Sequence, residues 1–395
     1  VIYFVVFILL LIPVVKYDWM AKTGGESKWY YLNLVVLILL AALRYRVGGD
    51  TLMYMSVYDS FPKWDELKYF DFETAEYQPL WYVFTAICRT IYDDFTFFQL
   101  VHASIITSVF FYCFRKYCPN YYFSAILLYY VGYYCYFSME IMREVLCIAL
   151  LMLSTTWLLE KKWLRYYLVC VVAIFFHYSA LVMLLFPFAV WLFKRPSWIF
   201  QLICLVVIFI ALNVVNIPAY VISRLPIDGQ LSRMILAYIE NQVSIGGMLF
   251  QLLSFLPVLG VIFVRQRISV IEDEYDFTPI VMASVFVYAF SMSIAGFSRF
   301  INYFVLYIII YMVNTTYKVL YLKAKDIQLT FVGLLATLFV YGFNLSYYYV
   351  RDMSEFYPNT RYYTIFYPYS SVFDKKVDNK RECFIENYRE VQIMF

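Results

Sequence analysis

The sequence predicts an all-α polytopic membrane protein, and two observations carry the prediction. Hydrophobic residues make up 64% of the 395 residues and charged residues only 15%, whereas a soluble chain has roughly 45–50% and 25%. Long apolar runs recur from one end of the chain to the other, and a helix needs about 20 such residues to cross a bilayer. We therefore predict about twelve transmembrane helices and no water-soluble domain.

The predicted spans are the apolar runs between charged or turn residues. In chain order they are 1–15, 29–43, 95–114, 119–138, 141–159, 163–177, 178–193, 198–216, 247–264, 277–296, 298–317 and 327–349. Segment 79–92 is also apolar, but it is short and carries Arg89. We expect a re-entrant or interfacial helix there.

Lysine and arginine gather in alternate connections, as the positive-inside rule expects of cytoplasmic loops. They are Lys16, Lys22, Lys28, Arg115, Lys116, Lys161, Lys162, Arg165, Lys194, Arg195, Arg265, Arg267, Lys318, Lys323 and Lys325. This orientation places the loops 44–78 and 217–246 of the bundle (1–349) outside the cell membrane, together with a polar, aromatic tail (350–395). An active site under them would face the periplasm or the exterior. If 79–92 crossed the membrane, the 44–78 loop would instead be cytoplasmic.

Composition excludes several kinds of site and partner. The net charge of +3 is too small and too dispersed for a nucleic-acid footprint. No two of the eight cysteines have the C-x-x-C spacing of a metal or redox site, and the only histidines, His102 and His177, are in different segments. We expect no bound metal, no disulfide framework and no cofactor.

The most informative stretch has the sequence RYRVGGD and follows the second predicted span. It places Arg44, Arg46, Gly48 and Asp50 at the membrane surface within a few residues. Glycines allow turns lined by backbone amides that bind anions, and arginines bind phosphate in bidentate geometry. We predict a phosphate-binding turn here, with Asp50 beside it and Glu76 as a second acid near the same surface. The competing interpretation is that the arginines snorkel around an ordinary loop.

Three further residues lie at predicted outer helix ends. Arg143 begins an apolar helix, where free backbone N–H groups attract anions, and Arg299 repeats the pattern at another span. His177 lies between two short spans, where an imidazole can donate to a phosphate or exchange a proton. The alternatives are that the arginines snorkel to the membrane surface and that the histidine is a buried ring with its hydrogen bonds made inside the protein. His102, in the middle of a span, is expected to make a packing hydrogen bond between helices.

Aromatic residues are abundant, with 42 tyrosines, 38 phenylalanines and 8 tryptophans. Sugar rings pack on aromatic faces, and tyrosine hydroxyls reach sugar hydroxyls. Most of these residues are expected to form membrane belts and helix packing instead. The stretch SEFYPNTRYYTIFYPY (354–369) of the tail is the segment that we would most readily assign to substrate.

Together these residues resemble the EpsG family of Wzy-like bacterial polysaccharide polymerases. The shared motifs are Arg44-x-x-x-Gly48-x-Asp50-x-x-x-Tyr54, Glu76 before an apolar segment, Met142-Arg143, Phe176-His177, Arg299-x-x-x-Tyr303 and Tyr367-Pro-Tyr369. Each motif is weak alone, and their order over almost the whole chain is moderately specific. The family in turn resembles GT-C glycosyltransferases.

The resemblance implies a metal-independent membrane glycosyltransferase in the bacterial inner membrane, with its active site facing outward. Its donor and acceptor would be undecaprenyl-diphosphate-linked repeat units, with a chain-length regulator and a flippase as further partners. Arg44, Arg46, Gly48, Tyr54, Arg143, Arg299 and Tyr303 would bind substrate. The catalytic base would be Asp50, Glu76 or His177, and the residues do not choose among the three.

Two alternatives stay open at this point. A flippase or another transporter of lipid-linked oligosaccharide also uses arginines and aromatic grooves, although it should carry inverted repeats with charges at the bilayer midplane. An O-antigen-ligase-like transferase would differ from a polymerase only in its acceptor.

Overall fold

The structure is a computed structural model that describes residues 1–194, 256–266, 274–291, 299–321 and 348–394, with positions 200, 203, 204, 206, 207, 210 and 342 between them. The predicted spans 198–216 and 327–349 lie largely outside the described residues, and the predicted loop 217–246 lies wholly outside them.

The described chain forms two compact units. The first comprises Val1–Leu184 and Tyr348–Tyr388. Its helices are α1 (Ile2–Pro13), α2 (Glu26–Ala42), α3 (Gly49–Val57), α4 (Pro79–Ile91), α5 (Phe95–Tyr117), α6 (Tyr122–Gly132), α7 (Tyr134–Met139), α8 (Met142–Leu159) and α9 (Trp163–Ile174). A π-helical turn (Val14–Trp19) extends α1, and 3₁₀ turns cover Tyr58–Ser60, Leu67–Tyr69, Tyr178–Leu185 and Tyr362–Ile365.

The second unit comprises Leu185–Tyr347 and Arg389–Phe395. Its described helices are α10 (Phe186–Phe193), α11 (Leu256–Gln266), α12 (Thr278–Ser291) and α13 (Asn302–Tyr321). The last helix, α14 (Asn379–Met394), begins in the first unit and ends in the second. Within the second unit, α10 packs on α12, and Phe186 stacks on Phe304 of α13 at 4.7 Å between ring centroids.

The described residues are helical, with two isolated β-bridges and no strand. Within the part of the chain that the structure describes, four helical stretches are long and apolar enough to cross a membrane, namely Ile2–Trp19, Phe95–Tyr117, Met142–Leu159 and Arg299–Leu320. Shorter apolar helices accompany them. The prediction of an all-α membrane protein is thus confirmed, and the count of twelve spans is not.

One predicted span is divided in the structure. Segment 119–138 forms α6 and α7, because the backbone leaves the helical region at Tyr133 (φ −134°, ψ −11°), just after Gly132. The Gly132 carbonyl, which the break exposes, accepts a hydrogen bond from the hydroxyl of Tyr349 (3.0 Å). Tyr349, just before the tail, therefore stabilises this break.

The helices of the first unit pack α2 on α5, α5 on α8 and α8 on α9. At one end, which we call the turn end because residues 43–50 lie there, Gln99 Nε2 donates to the Arg44 carbonyl (3.4 Å). His102 Nε2 there lies 2.8 Å from the Met142 carbonyl, which is the predicted packing hydrogen bond. At the opposite end, Lys116 Nζ donates to Thr156.

At that opposite end, which we call the basic end, lie the lysines and arginines of the connections that the positive-inside rule predicted to be cytoplasmic. In the first unit they are Lys16, Lys22, Lys28, Arg115, Lys116, Lys161, Lys162 and Arg165. The first unit therefore separates these eight residues from the RYRVGGD turn, whose own end carries other cations, among them Arg46, Lys63 and Lys68.

Helix α4 has both of its ends at the turn end. Just before it, the Gln78 side chain contacts Arg143 at the start of α8 (2.9 Å). In its first turn, the Leu80 amide donates to the Phe175 carbonyl after α9 (3.0 Å). After it, Asp94 caps α5 through the amide of Thr96 (2.8 Å). A helix that crossed the bundle would end at the basic end instead, so this geometry favours the interfacial prediction for 79–92.

The tail packs against residues 43–48 and belongs to the first unit. The Tyr45 amide donates to the Ser370 carbonyl (2.8 Å), and the Val372 amide donates to the Leu43 carbonyl (2.9 Å). Up to Tyr388 the tail is part of the same compact unit as α1 to α9. The predicted division into a transmembrane bundle (1–349) and a polar, extracytoplasmic tail (350–395) stays a prediction.

Candidate active site

Arg44 holds the connection between α2 and α3 together. Only 1% of the residue is exposed, and its guanidinium donates to the carbonyls of Ala41 and Val47 and to Thr51 Oγ1 (2.9 Å from Nη2). Thr51 in turn donates to the Met139 carbonyl (2.8 Å). Burial lowers the pKa of Arg44 to about 10, which still leaves the side chain protonated at neutral pH. The geometry makes Arg44 a residue that positions the turn.

The two glycines of this turn lie against the break between α7 and α8. Gly48 has φ +98°, and a Cβ there would lie 2.1 Å from the Met139 carbonyl oxygen. The Gly48 amide donates to the Ile365 carbonyl (3.0 Å), and the Gly49 amide donates to the Glu140 carboxylate. Both amides are engaged within the protein, and the phosphate-binding role of the turn stays a prediction.

Arg46 forms an ion pair with Glu382 of α14, and both side chains are about one-third exposed. The Arg46 carbonyl accepts a hydrogen bond from Arg381 Nη1 (2.9 Å). Arg381 is 1% exposed and also donates to the carbonyls of Thr364 and Pro368. The tail therefore fixes the backbone of the turn and balances the charge of Arg46.

Arg143 is the second residue of α8, and its guanidinium is oriented by three neutral groups. Nε donates to the Tyr54 hydroxyl (2.6 Å), Nη1 donates to Gln78 Oε1 (2.9 Å), and the guanidinium lies 4.6 Å from the centre of the Tyr77 ring. Within the described part of the chain, no ion pair joins Arg143 to a carboxylate. Its charge is thus fixed in place and half-buried.

Tyr54 and Asp50 lie one turn apart on α3, next to Arg143. Tyr54 is 1% exposed, and its ring packs on Trp81 at 4.9 Å. Burial raises the pKa of the Tyr54 hydroxyl, Asp50 raises it further, and Arg143 opposes both. Tyr54 therefore stays a neutral acceptor for Arg143, and half-buried Asp50 lies close enough to act electrostatically on the same hydroxyl.

His177 lies in the turn that follows α9, at the same end of the unit. Its Nδ1 lies 2.6 Å from Ser179 Oγ and accepts from the Ser179 amide (3.2 Å). The His177 amide donates to the Ala173 carbonyl, to which Cys147 of α8 also donates. His177 and Arg143 therefore flank the contact between α8 and α9.

Glu76 is exposed and adjoins Tyr77. Burial, and then the Glu76 carboxylate, raise the pKa of Tyr77 to about 12. Glu76 thus touches the aromatic side chain over which Arg143 lies.

Arg299 and Tyr303 belong to the second unit. Arg299 is exposed at the start of the Arg299–Leu320 stretch, and Tyr303 is fully buried within α13. Their membership of one site with Arg143 stays a prediction.

The structure adds residues to the site that the motifs did not indicate. Gln78 lies just before α4, and Glu140 lies in the same MEIMRE stretch as Arg143, so the sequence contained a local signal for both. Arg381 and Glu382 are more than 300 positions from the turn that they contact. No local pattern could have indicated that contact.

A family model matches residues 27–371 of the chain, and that range contains every predicted site residue from Arg44 to Tyr303. The chain belongs to the EpsG family. This is a family of Wzy-like polysaccharide polymerases, so the motifs that suggested the resemblance lie within a true family match. No curated protein and no solved structure matches the chain. All of α14, with Arg381 and Glu382, lies beyond the EpsG match.

Proposed function

We propose that this EpsG-family protein joins undecaprenyl-diphosphate-linked oligosaccharide repeat units into a bacterial surface polysaccharide. It would act as a metal-independent glycosyltransferase at the outer face of the cell membrane. The observation that carries the proposal is Arg143, whose charge is held at a helix start by partners that are all neutral among the described residues. A diphosphate is the ligand that such a preset cation suits.

The donor would bind with its diphosphate at Arg143. The start of the 18-residue helix α8 adds the positive end of its dipole. Arg44 would act by keeping the turn in shape, because its own donors are engaged in the protein. Arg46 and Arg299 are further candidates to bind phosphate.

The transfer step needs a base at the same place. The acceptor hydroxyl oxygen attacks the anomeric carbon of the donor sugar, and the bond from that carbon to the diphosphate oxygen breaks. Undecaprenyl diphosphate leaves with the bonding electrons, and the hydroxyl proton passes to the base. Asp50 is the first choice, since it lies one helical turn from the hydroxyl that holds Arg143.

His177 suits a different role. Its Nδ1 accepts from the Ser179 amide, so the neutral ring carries its proton on Nε2 and can donate there. Such a group would bind a phosphate oxygen better than it would accept a proton. Glu76, which is exposed, is the third choice for the base.

The outward orientation rests on charge. The lysines and arginines of residues 16–28, 115–116 and 161–165 lie at the basic end, which the positive-inside rule would assign to the cytoplasm. Asp50, Glu76, Arg143 and His177 are all at the turn end, and this supports a shared site on the outer face.

The direct test uses the full chain in lipid nanodiscs with a synthetic undecaprenyl-diphosphate-linked repeat unit. We expect a ladder of lengthened glycans, loss of the ladder in Arg143→Ala and partial activity in Arg143→Lys, because lysine lacks the guanidinium fork. Arg165→Ala is the matched control, since Arg165 is an exposed arginine at the basic end. Transfer of glycan to a different lipid without lengthening would indicate a ligase, and a full ladder in Arg143→Ala would refute the assigned role of Arg143.

A further inference from the structure

A cavity of about 470 Å³ lies in the tail, between residues 368–370 and the start of α14. Its volume is within the roughly 300–1,000 Å³ that small-molecule sites occupy. The walls carry Tyr369 and Ser370 on one side and Asp374, Lys376 and Asn379 on the other, and buried Arg381 also lines it. The cavity is separate from Arg143 and its partners.

The lining identifies the class of ligand. Two carboxylates, Asp374 and Asp378, are balanced by two cations, Lys376 and Arg381. An anion would meet the carboxylates and a cation would meet the basic groups, so the balanced lining favours a neutral ligand. Ser370 and Asn379 each donate and accept hydrogen bonds. A neutral sugar has matching hydroxyls and an apolar C–H face for the Tyr369 ring.

The walls are already ordered without a ligand. Asp374 accepts from the amide and the hydroxyl of Ser371 (2.7 and 2.9 Å), and Asp378 accepts from the Arg381 amide (3.0 Å). A preset wall loses little conformational freedom when a ligand binds, which favours affinity.

The cavity also adjoins the turn that leads to the candidate active site. Ser370 accepts from the Tyr45 amide, and Arg381 donates to the Arg46 carbonyl. The EpsG match ends at residue 371, so Asp374, Asp378 and Asn379 lie outside it, whereas Asp50 and Arg143 lie inside. This division would be expected if Asp50 and Arg143 carried out a reaction common to the family. The cavity would then recognise sugars that differ from one polysaccharide to another.

We propose that this cavity binds neutral sugar residues of the repeat unit and contributes to the choice of glycan. The inference rests on the proposed function for the identity of the glycan. It assigns the recognition of sugar to the tail and the recognition of diphosphate to Arg143.

The test measures binding of lipid-free glycan by the purified full chain in nanodiscs. The probe is the oligosaccharide repeat unit released from the surface polysaccharide of the producing strain. Titration calorimetry measures its affinity for the protein. Asn379→Trp fills the cavity from an exposed position, and Asp374→Asn removes one charge-assisted hydrogen bond. Each should weaken binding by about tenfold or more, which is the effect of one such contact. Glu386→Gln, an exposed acid on α14 outside the lining, is the matched control.

The outcomes separate this inference from the proposed function. Arg143→Ala should bind the probe as the wild type does, because the probe carries no phosphate. Wild-type binding in both cavity variants, at unchanged unfolding temperature, overturns the cavity assignment, as does a wild type that binds no probe. If the cavity variants weaken probe binding but the wild type builds no ladder, the cavity assignment stands and only the proposed polymerase function is refuted.

Discussion

Gly48 is a position where both the backbone and the surroundings exclude a side chain. Its φ of +98° is strained for other residues, and the Met139 carbonyl fills the space of a Cβ. The Gly-x-Asp spacing of the motif therefore has a packing cause as well as a functional one. The glycine lets the turn approach the α7–α8 break and so places Asp50 near Arg143.

Replacement of Gly48 by alanine should lower the unfolding temperature and polymerising activity together. The matched control is Gly24→Ala, because Gly24 has φ +92° with no atom within 4 Å of the added Cβ. Gly24→Ala should cost about 1 kcal/mol of backbone strain alone, and Gly48→Ala clearly more, since a backbone carbonyl must move. Thermal unfolding in detergent measures both. Equal shifts in the two variants would show that the contact with Met139 has no energetic role.

Asp50→Asn tests the assignment of the base. Asparagine keeps the size of the side chain but cannot take the proton, so turnover should fall by about 10²–10⁴ while the KM for the lipid-linked donor changes little. His177→Gln should show the opposite pattern, a raised KM with turnover largely kept, because we assign its ring to binding. Steady-state kinetics on the synthetic repeat unit separates the two. Full turnover in Asp50→Asn would move the base to Glu76 or His177.

At the scale of elements, Arg89 joins α4 to the residues on both sides of it. It pairs with Asp93 just after the helix (2.8 Å), and the other carboxylate oxygen of Asp93 pairs with Lys63 of the preceding loop (2.9 Å). Arg89 also donates to the carbonyl of Phe61. A short apolar segment with one arginine is thus held at the turn end by its own polar residue. The same arginine was the reason to predict an interfacial helix.

The Arg89–Asp93 pair makes stability depend on pH in the acid range. Hydrogen bonds from Arg89, and then from Lys63, lower the pKa of Asp93 to about 2, against about 3.9 in an unfolded chain. A carboxyl group whose pKa is lower in the folded than in the unfolded chain stabilises the folded protein at pH values above its unfolded pKa. This contribution is therefore complete above about pH 5 and is lost as the pH falls towards 2. Asp93→Asn should therefore be less stable at neutral pH and lose less stability on acidification.

Thermal unfolding at about pH 6 and about pH 3 measures that difference. Asp65→Asn is the control, because Asp65 is an exposed acid in the same loop that forms no ion pair in the described structure. An acid-induced shift as large in Asp93→Asn as in the wild type would contradict the assignment.

Helix boundaries were largely predictable because apolar runs and caps are local. The predicted spans 29–43, 95–114 and 141–159 correspond to α2, α5 and α8 within a few residues. The division of 119–138 was not predictable, since α6 and α7 are both apolar and the Gly132 carbonyl at the break is bonded by Tyr349, which is distant in sequence. In the site, Arg143 and its helix start were visible in the motif. The neutral partners that keep its charge available, Tyr54 and Gln78, come from other elements and required the fold.

At the scale of the whole molecule, the prediction with the widest consequence is sidedness. Ser60 in the 44–78 loop and Lys22 at the basic end are both exposed. In a Cys383→Ser background, which removes an exposed native thiol, Ser60→Cys should react in intact cells with a maleimide that cannot cross the membrane, and Lys22→Cys only after lysis. Labelling of Ser60→Cys only after lysis would place Asp50 and Glu76 on the cytoplasmic face and end the shared outer site.

The contact between Arg46 and Glu382 joins residues 336 positions apart. A ribosome that has inserted α1 to α9 has made every residue that surrounds Arg143, but not yet the segment that holds the neighbouring turn. The turn is therefore held in place only after Glu382 has been synthesised and has reached the turn end. Under the proposed function, a chain that stops before α14 would lie in the membrane without transferring sugar.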